Sequence, residues 1–351
     1  MFCKSLTPRP ARESKWCNLS FSSQLAQIPL QGLVLINKPQ GFTSHDLVAL
    51  VRKVVGQKSV GHIGTLDPFA TGLMGILLGN GTKLAPYLAK FTKVYWGEIA
   101  LGLLTDTWDL LGKVKADLRA EAKNITLTSL KNAIATKLGT KLQQPPAYSA
   151  LKIQGVPAYK RARRGEELNL SPREVTLYDC EVLDFTPPNL VFTARVGSGY
   201  YIRSLAYELG RELELPGGTL TKLTRLKIGP FSLEQALEPP LSRPEVADAL
   251  ISLRATLDFL PEYQVNFGEA KKFSQGQTLQ LKSDPSLANL SPKSLEKTGE
   301  SGSESDKVVV KVIDPSGKLL ALGELLEYNT LDLNRSQGPF LRPLRVFQTG
   351  L

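Results

Sequence analysis

Apolar positions along the first half of the chain follow two rhythms, one short and unbroken, the other helical. Leu33-Val34-Leu35-Ile36 is an uninterrupted run closed by the turn-forming Asn37-Lys38-Pro39-Gln40-Gly41, and it reads as a buried strand. Beyond it Leu47, Leu50, Val51, Val54 and Val55 recur at helical spacing up to Gly56, with Ser44 as the expected cap. Strand character returns at 93–101 (KVYWGEIAL), 177–185 (LYDCEVLDF) and 190–197 (LVFTARVG). Helices fit 128–138 and 202–209. Each is followed by a glycine, Gly139 or Gly210, that can take the left-handed conformation ending a helix. Strands and helices mix without regular βαβ alternation, which favours an α+β core over a dinucleotide-binding fold.

A second unit begins near Pro261. A short helical pattern, FGEAKKFSQG, precedes SDPSLANLSPKSLEKTGESGSESD at 283–306, a stretch of Ser, Glu, Lys, Pro and Gly too polar to order itself. VVVKVI (308–313), an Asp314-Pro315-Ser316-Gly317 turn and KLLALGELL then predict a hairpin. A small β domain with an inserted loop is expected. No internal repeat is visible.

Composition narrows the function classes. Of 351 residues, 42% are hydrophobic and 22% charged, ordinary for a globular protein. No apolar run approaches the eighteen residues of a membrane span. A net charge of +10 favours a polyanionic partner such as nucleic acid, though solubility alone also explains it. Three scattered cysteines (Cys3, Cys17, Cys180) and two histidines (His45, His62) make neither a disulfide framework nor a transition-metal site, so a reducing, cytoplasmic setting fits. Residues 1–28 hold four Lys/Arg and one acid, Glu13. They lack a secretory apolar core and read as a disordered basic tail or an organelle-targeting segment.

Three segments could carry chemistry. In GHIGTLDPFATGLM (61–74) an acid, Asp67, precedes a proline among glycines. That is an ordinary Asp-Pro turn or a site where the backbone closely approaches another molecule. The nearby GNGTK does not match the phosphate loop G-x-x-x-x-G-K-[ST]. Between Lys152 and Arg164 five positive charges (Lys152, Lys160, Arg161, Arg163, Arg164) surround Tyr159 with no acid among them. This is a solvated basic face or an RNA-backbone contact. In GSGYYIRSLAYELG (197–210) Arg203 falls in the first turn of a predicted helix, where a cation opposes the helix dipole. Either water or an anionic partner must compensate.

Taken in order, these motifs resemble the bacterial tRNA pseudouridine-55 synthases of the TruB type. Lys38-Pro39-Gln40-Gly41-Phe42-Thr43-Ser44 resembles the family's opening K-P-x-G-x-T-S, and Gly61-His62-x-Gly64-Thr65-Leu66-Asp67-Pro68-x-Ala70-Thr71-Gly72 its signature. Lys93-x-Tyr95, Thr105-Asp106-Thr107-x-Asp109-x-x-Gly112, Pro145-Pro146-x-Tyr148-Ser149-Ala150-x-Lys152, Tyr201-Ile202-Arg203 and Leu223-x-Arg225-Leu226 follow. The likeness runs from about residue 30 to 235 and weakens beyond. Tyr200 departs from it, standing where the family usually has a small hydroxyl residue; residues 1–28 and 283–306 have no recognised counterpart.

The resemblance implies an α+β, pseudouridine-synthase-like fold: a mixed, mainly antiparallel sheet flanked by helices, with a small β-rich PUA-like C-terminal domain. The division is then 1–28 tail, 29–258 catalytic domain, and 259–351 PUA-like RNA-binding domain with the 283–306 insertion. It implies isomerisation of uridine to pseudouridine at position 55 of the tRNA T-loop by base flipping, without cofactor or metal. Asp67 is then the essential carboxylate, acting as nucleophile or base, with Arg203 paired to it; an opposite charge within about 4–6 Å favours an ionised carboxylate. Tyr95 faces the uracil as catalytic phenol and stacking ring. His62, Tyr201, Leu223 and Lys38 contact or support the flipped nucleotide, and the Lys152–Arg164 cluster meets the RNA backbone. A monomer with tRNA as partner is expected. The competing reading is a non-catalytic RNA-binding protein or tRNA-folding chaperone using the same basic cleft. A glycoside hydrolase fits less well, because Asp67 has no acidic companion within its motif.

Overall fold

The computed structural model describes residues 28–166, 168, 170–281, 308–326 and 340–347. The expected tail and the 283–306 insertion lie outside the described residues, apart from Ile28. The first strand, β1 (Gly32–Lys38), is the run anticipated from its apolar residues. The helix α1 (Ser44–Val55) follows, closed by Gly56 at φ 68°. Its cap is Thr43 rather than Ser44: Thr43 and Asp46 bond reciprocally to each other's backbone N–H groups, forming a capping box. The Ser44 hydroxyl is used elsewhere, exchanging bonds with the N–H and carbonyl of Leu66.

Next come β2 (Val60–Ile63), β3 (Thr71–Leu78), α2 (Ala85–Leu88), β4 (Lys93–Leu101) and the hairpin β5 (Leu103–Thr105) and β6 (Val114–Asp117). The chain continues through α3 (Leu127–Lys137), β7 (Gly139–Gln143), the small hairpin β8 (Lys152–Ile153) and β9 (Val156–Pro157), and α4 (Ala158–Ala162). Strands β10 (Arg173–Thr186) and β11 (Asn189–Val196), helix α5 (Ile202–Glu212), and strands β12 (Gly218–Ile228) and β13 (Phe231–Ser232) complete the larger unit.

Among the described residues these strands build a nine-stranded sheet in the order β1-β3-β12-β4-β11-β10-β7, with β2 beside β3 and β13 beside β12. The β3–β12 ladder is parallel and the other ladders are antiparallel, so two antiparallel halves meet at Thr71–Thr224 and Gly72–Arg225. The result is the expected α+β architecture. Helix α5 packs on β12, and it runs past Gly210, which was expected to end it. Gly210 serves close approach instead: an added Cβ would lie 2.0 Å from the Gly217 carbonyl carbon.

After α6 (Arg243–Asp248) and α7 (Leu253–Thr256), a second sheet takes the order β14 (Glu262–Gln264), β16 (Val308–Ile313), β17 (Leu319–Leu326), β18 (Phe340–Val346), β15 (Leu279–Gln280), with α8 (Phe267–Ser274) against it. The anticipated hairpin is β16–β17, turning through Asp314, which holds Ser316 and Lys318 by their backbone N–H groups. The two sheets share a core. Leu33, Leu35, Leu73 and Leu77 from β1 and β3 pack in one cluster with Leu319, Leu322 and Phe347.

The sheet junction is tight. Gly72 sits at φ 106°, and a Cβ there would stand 2.4 Å from the Arg225 carbonyl oxygen. Gly72→Ala is therefore expected to cost about 2–4 kcal/mol through backbone strain and overpacking together. Urea unfolding of the purified variant checks this, and an unchanged midpoint would contradict the close approach.

Candidate active site

The β2–β3 loop (64–70) is short and buries Leu66, Phe69 and Ala70. Two buried cations hold it by its carbonyls. Arg225, on β12, donates to the carbonyls of Gly64 (3.2 Å), Thr65 (3.4 Å) and Leu73 (2.8 Å). Lys38, fully buried at the end of β1, donates to the carbonyls of Phe42 (2.7 Å), Pro39 (3.1 Å) and Pro68 (3.5 Å). Ala70 N–H donates to the Asp67 carbonyl at 3.1 Å, so the Asp-Pro turn is real. The turn and a site are the same object: it lifts the Asp67 side chain toward α5.

There Asp67 meets Arg203 in a two-pronged ion pair, Nε to Oδ2 at 2.9 Å and Nη2 to Oδ1 at 3.0 Å. This fork geometry is the strong form of a charge-assisted bond. Arg203 also donates to the carbonyls of Thr107 (3.1 Å) and Tyr148 (2.9 Å), and its Nη1 lies 3.5 Å from Asp109 Oδ2. The Arg203 side chain is 4% exposed, Asp109 8% and Asp67 31%. One guanidinium therefore holds two carboxylates, of which Asp67 is the open one. Burial pushes the Asp109 carboxyl above the usual carboxylate range, opposed by Arg203 and by bonds from the Thr107 hydroxyl and Leu111 N–H.

Asp67 and Arg203 line a cavity of about 330 Å³ together with Tyr95, Tyr200, Tyr201, Leu223 and Arg225. Tyr95 comes from β4, directly opposite Arg225 of β12 and Ala194 of β11. Tyr201 precedes α5 and supplies no cap of its own. Gln143 instead pins its backbone, accepting from Tyr201 N–H at 2.9 Å and donating to its carbonyl at 3.2 Å. Tyr200 stands beside Tyr201 in the wall and packs back against the main core; burial pushes both phenols up.

Not every residue singled out from the sequence reaches this cavity. Lys38 does not line it; its Nζ is held by the carbonyls of Phe42 and Pro39 and reaches the Asp67 loop at the Pro68 carbonyl, 3.5 Å away. His62, on β2, also lies off the cavity wall. It is half-buried, its ring edge-on to His45 at 5.7 Å, and burial, His45 and Arg225 push it below the usual histidine range. In the basic segment, Lys160, Arg163 and Arg164 on or just after α4 are exposed, and the Arg163 guanidinium lies 5.6 Å from the Tyr159 ring. Arg161 is spoken for by Glu166 at 2.5 Å, an acid just past the run that the spacing alone left out. Lys152 opens β8 opposite Pro157. Ala150 and Leu151 line the cavity, so the basic segment begins at its lip.

Asp109, Arg225 and Gln143 carry structural weight that their positions in the sequence did not disclose. β12 (GTLTKLTRLKI) carries three cations, Lys222, Arg225 and Lys227, so nothing local singled out Arg225 as the buried one. The missing acidic companion of Asp67 is Asp109, in a different motif and behind the cavity wall. Among the described residues no cluster of His, Cys, Asp and Glu could hold a metal ion, and no helix is long and apolar enough to cross a membrane.

Comparison with known proteins decides the family. Residues 52–202 match the model of the TruB family pseudouridylate synthase N-terminal domain. The chain is 37% identical over 243 residues to tRNA pseudouridine synthase B of Syntrophotalea carbinolica, covering 67% of this chain and 78% of that protein. It is 35% identical over 294 residues to the protein of that name from Thermotoga maritima, covering 84% and 89%. The chain belongs to the TruB family. Its fold is also that of a chain from a solved Cbf5-Nop10-Gar1 complex, with a TM-score of 0.63, 21% identity, and coverage of 91% of this chain and 85% of that one. A chain of an H/ACA RNP bound to a substrate RNA containing 2′-deoxyuridine gives a TM-score of 0.60 at 19% identity, covering 90% and 85%. At these identities the second pair speaks for the fold alone.

The loop support of this TruB family member has a pH signature. Burial brings Lys38 from 10.5 down to about 8, against the attraction of Asp67. The unfolded chain then binds this proton more tightly than the native one, so wild-type stability should rise with pH between about 8 and 10.5. Below pH 8 the full penalty stands, at most roughly 3 kcal/mol. Urea unfolding of wild type and Lys38→Met across this range should show their difference moving in favour of wild type. A difference flat in pH would contradict it.

Proposed function

We propose that this protein isomerises uridine to pseudouridine in tRNA, at position 55 of the T-loop. The observation that carries the proposal is the Asp67–Arg203 pair, open on one side to a cavity walled by Tyr95, Tyr201 and Leu223. Further support comes from the shared name of its relatives, tRNA pseudouridine synthase B.

The reaction breaks the bond from uracil N1 to the sugar C1′, turns the base and joins its C5 to C1′. No atom is gained or lost: the proton leaving C5 balances the one taken up at N1. The glycosidic atoms are shielded in a stacked loop, so the nucleotide flips into the cavity. The Asp67 carboxylate, held ready by the guanidinium, adds to the sugar or removes its 2′ proton. The Tyr95 ring stacks on the uracil and its phenol stands by for the C5 proton. Tyr201 and Leu223 confine the detached base, which must turn without escaping. His62, beside the cavity, fills the space the flipped nucleotide leaves, and Lys38 acts only through the loop.

Single-stranded loops are where RNA bases are open to protein side chains, which suits a T-loop substrate. Lys152, Lys160, Arg163 and Arg164, with Arg161 steadied by Glu166, meet the backbone of the T-arm. The C-terminal β sheet, residues 259–351 in the proposed division, is a PUA-like platform for the rest of the tRNA. The protein works as a cytoplasmic monomer.

Asp67→Asn tests the assignment. Arg203 keeps Thr107, Tyr148 and Asp109 as partners, so the variant should fold and bind tRNA. Pseudouridine formation on an unmodified transcript should fall at least about a thousandfold, as expected when an essential reacting group is removed. A protein acting only as an RNA chaperone would keep its activity in this variant. Binding should also weaken steeply from 50 to 200 mM salt. Affinity measured by filter binding that hardly changes over that range would overturn the backbone assignment.

A further inference from the structure

Trp108 stands between two of the three residues that grip Arg203 from behind. Thr107 accepts from Arg203 through its carbonyl, and Asp109 faces it through its carboxylate. Trp108 itself takes φ 60°, a left-handed conformation that residues with side chains rarely adopt. This turn lets the two flanking residues address one guanidinium. Its carbonyl accepts from Leu220 N–H on β12 at 3.0 Å. Its indole lies flat on the Tyr207 ring, with centroids 4.4 Å apart and planes 5° from parallel.

Tyr207 is four residues beyond Arg203 on α5, so the stack ties the loop to the very helix that presents the arginine. Tyr207 has little freedom to retreat: a Cβ on Gly217 would lie 2.9 Å from its Cδ2. Neither ring lines the cavity. A strained backbone with an aromatic lock, off the cavity wall but one residue from two of the three rear contacts of Arg203, has the marks of a device for holding orientation.

We propose that Trp108 and Tyr207 form a clamp that sets the direction of the Arg203 guanidinium and, through it, of the Asp67 carboxylate. Both are positioning residues for the isomerisation proposed above, on which this inference rests. Without the stack the 107–109 turn is no longer tied to α5, and Thr107 and Asp109 swing away from Arg203 together. Arg203 then follows whichever carboxylate moves, and the open face of Asp67 loses its aim.

The test compares Trp108→Gly, Trp108→Phe and Tyr207→Leu with wild type on an unmodified tRNA transcript. Glycine accepts φ 60° without strain and so removes the ring alone. Trp108→Gly and Tyr207→Leu should lose about 10- to 100-fold in single-turnover rate, a size usual for misaligned reacting groups. Their tRNA affinity should stay within about twofold of wild type. Trp108→Phe should keep most of the rate. The double variant should be no slower than either single, because each breaks the same contact.

A second readout is independent of turnover. In wild type the ion-paired Arg203 Nε–H should give a distinct, slowly exchanging ¹⁵N signal, which should broaden or vanish in the glycine and leucine variants and survive with phenylalanine. Full rate and an intact signal in Trp108→Gly would overturn the clamp, as would a loss confined to tRNA affinity. If Trp108→Gly does not fold, Trp108→Phe against Tyr207→Leu decides: equal rates in those two overturn it. Wild type that forms no pseudouridine would defeat the proposed function, while the Arg203 signal still reports on the clamp.

Discussion

The buried guanidinium of Arg203 is the constraint around which the site is organised. An arginine taken out of water costs several kcal/mol unless nearly all its N–H groups find acceptors. Here the acceptors come from three stretches of chain 136, 96 and 55 residues away: Asp67, Thr107 and Tyr148. The loops position the arginine, and its need for partners holds the loops. Because that need is met on the buried side by two carbonyls and Asp109, the Asp67 side can stand open to solvent without destabilising the fold. Two carboxylates share one cation, and burial separates them: Asp109 is enclosed and Asp67 accessible.

The same logic repeats beneath the Asp67 loop. Lys38 and Arg225 are buried cations whose acceptors are backbone carbonyls, not acids. Carbonyl ligation leaves their positive charges without a dedicated counter-ion, close beneath a loop that carries a carboxylate. Burial drives Lys38 toward neutrality while Asp67 draws it back. The loop is thereby held by groups that also set positive charge beneath it, a combination that a hydrophobic anchor would not provide.

Much of this was legible in the residues. β1, α1, β4 and the β16–β17 hairpin follow from periodicity and turn chemistry; the Asp67–Arg203 pairing comes from the resemblance to the TruB type, since the helix-start position of Arg203 leaves water and an anionic partner both open. Strand β3 was not legible, for a physical reason. TGLMGILL does not alternate because both faces are buried: Met74 and Ile76 face the main core, Leu73 and Leu77 the core shared with the C-terminal sheet. Gly210 misled because glycine after an apolar helix looks like a stop, whereas here the helix needs bare backbone to reach Gly217. Asp109 and Gln143 were hidden for another reason. Their roles depend on which distant backbone they meet, and local pattern holds no record of that.

Burial of β3 on both faces also bears on the RNA contact proposed for the C-terminal sheet. The strand that leaves the Asp67 loop is sandwiched between α1 on one side and Leu319, Leu322 and Phe347 on the other. Lys83 and Asn80 add bonds to the carbonyls of Val346 and Phe347. The C-terminal sheet is thus packed onto the catalytic sheet, not tethered beside it. A tethered module raises only the local concentration of its ligand. A module sharing a core with the strand that leaves the Asp67 loop fixes a distance, so in the reading proposed above a phosphate gripped there would be set at a defined reach from Asp67. For an enzyme that must choose one uridine among many in the same RNA, that fixed reach discriminates where backbone contacts, blind to base identity, otherwise do not.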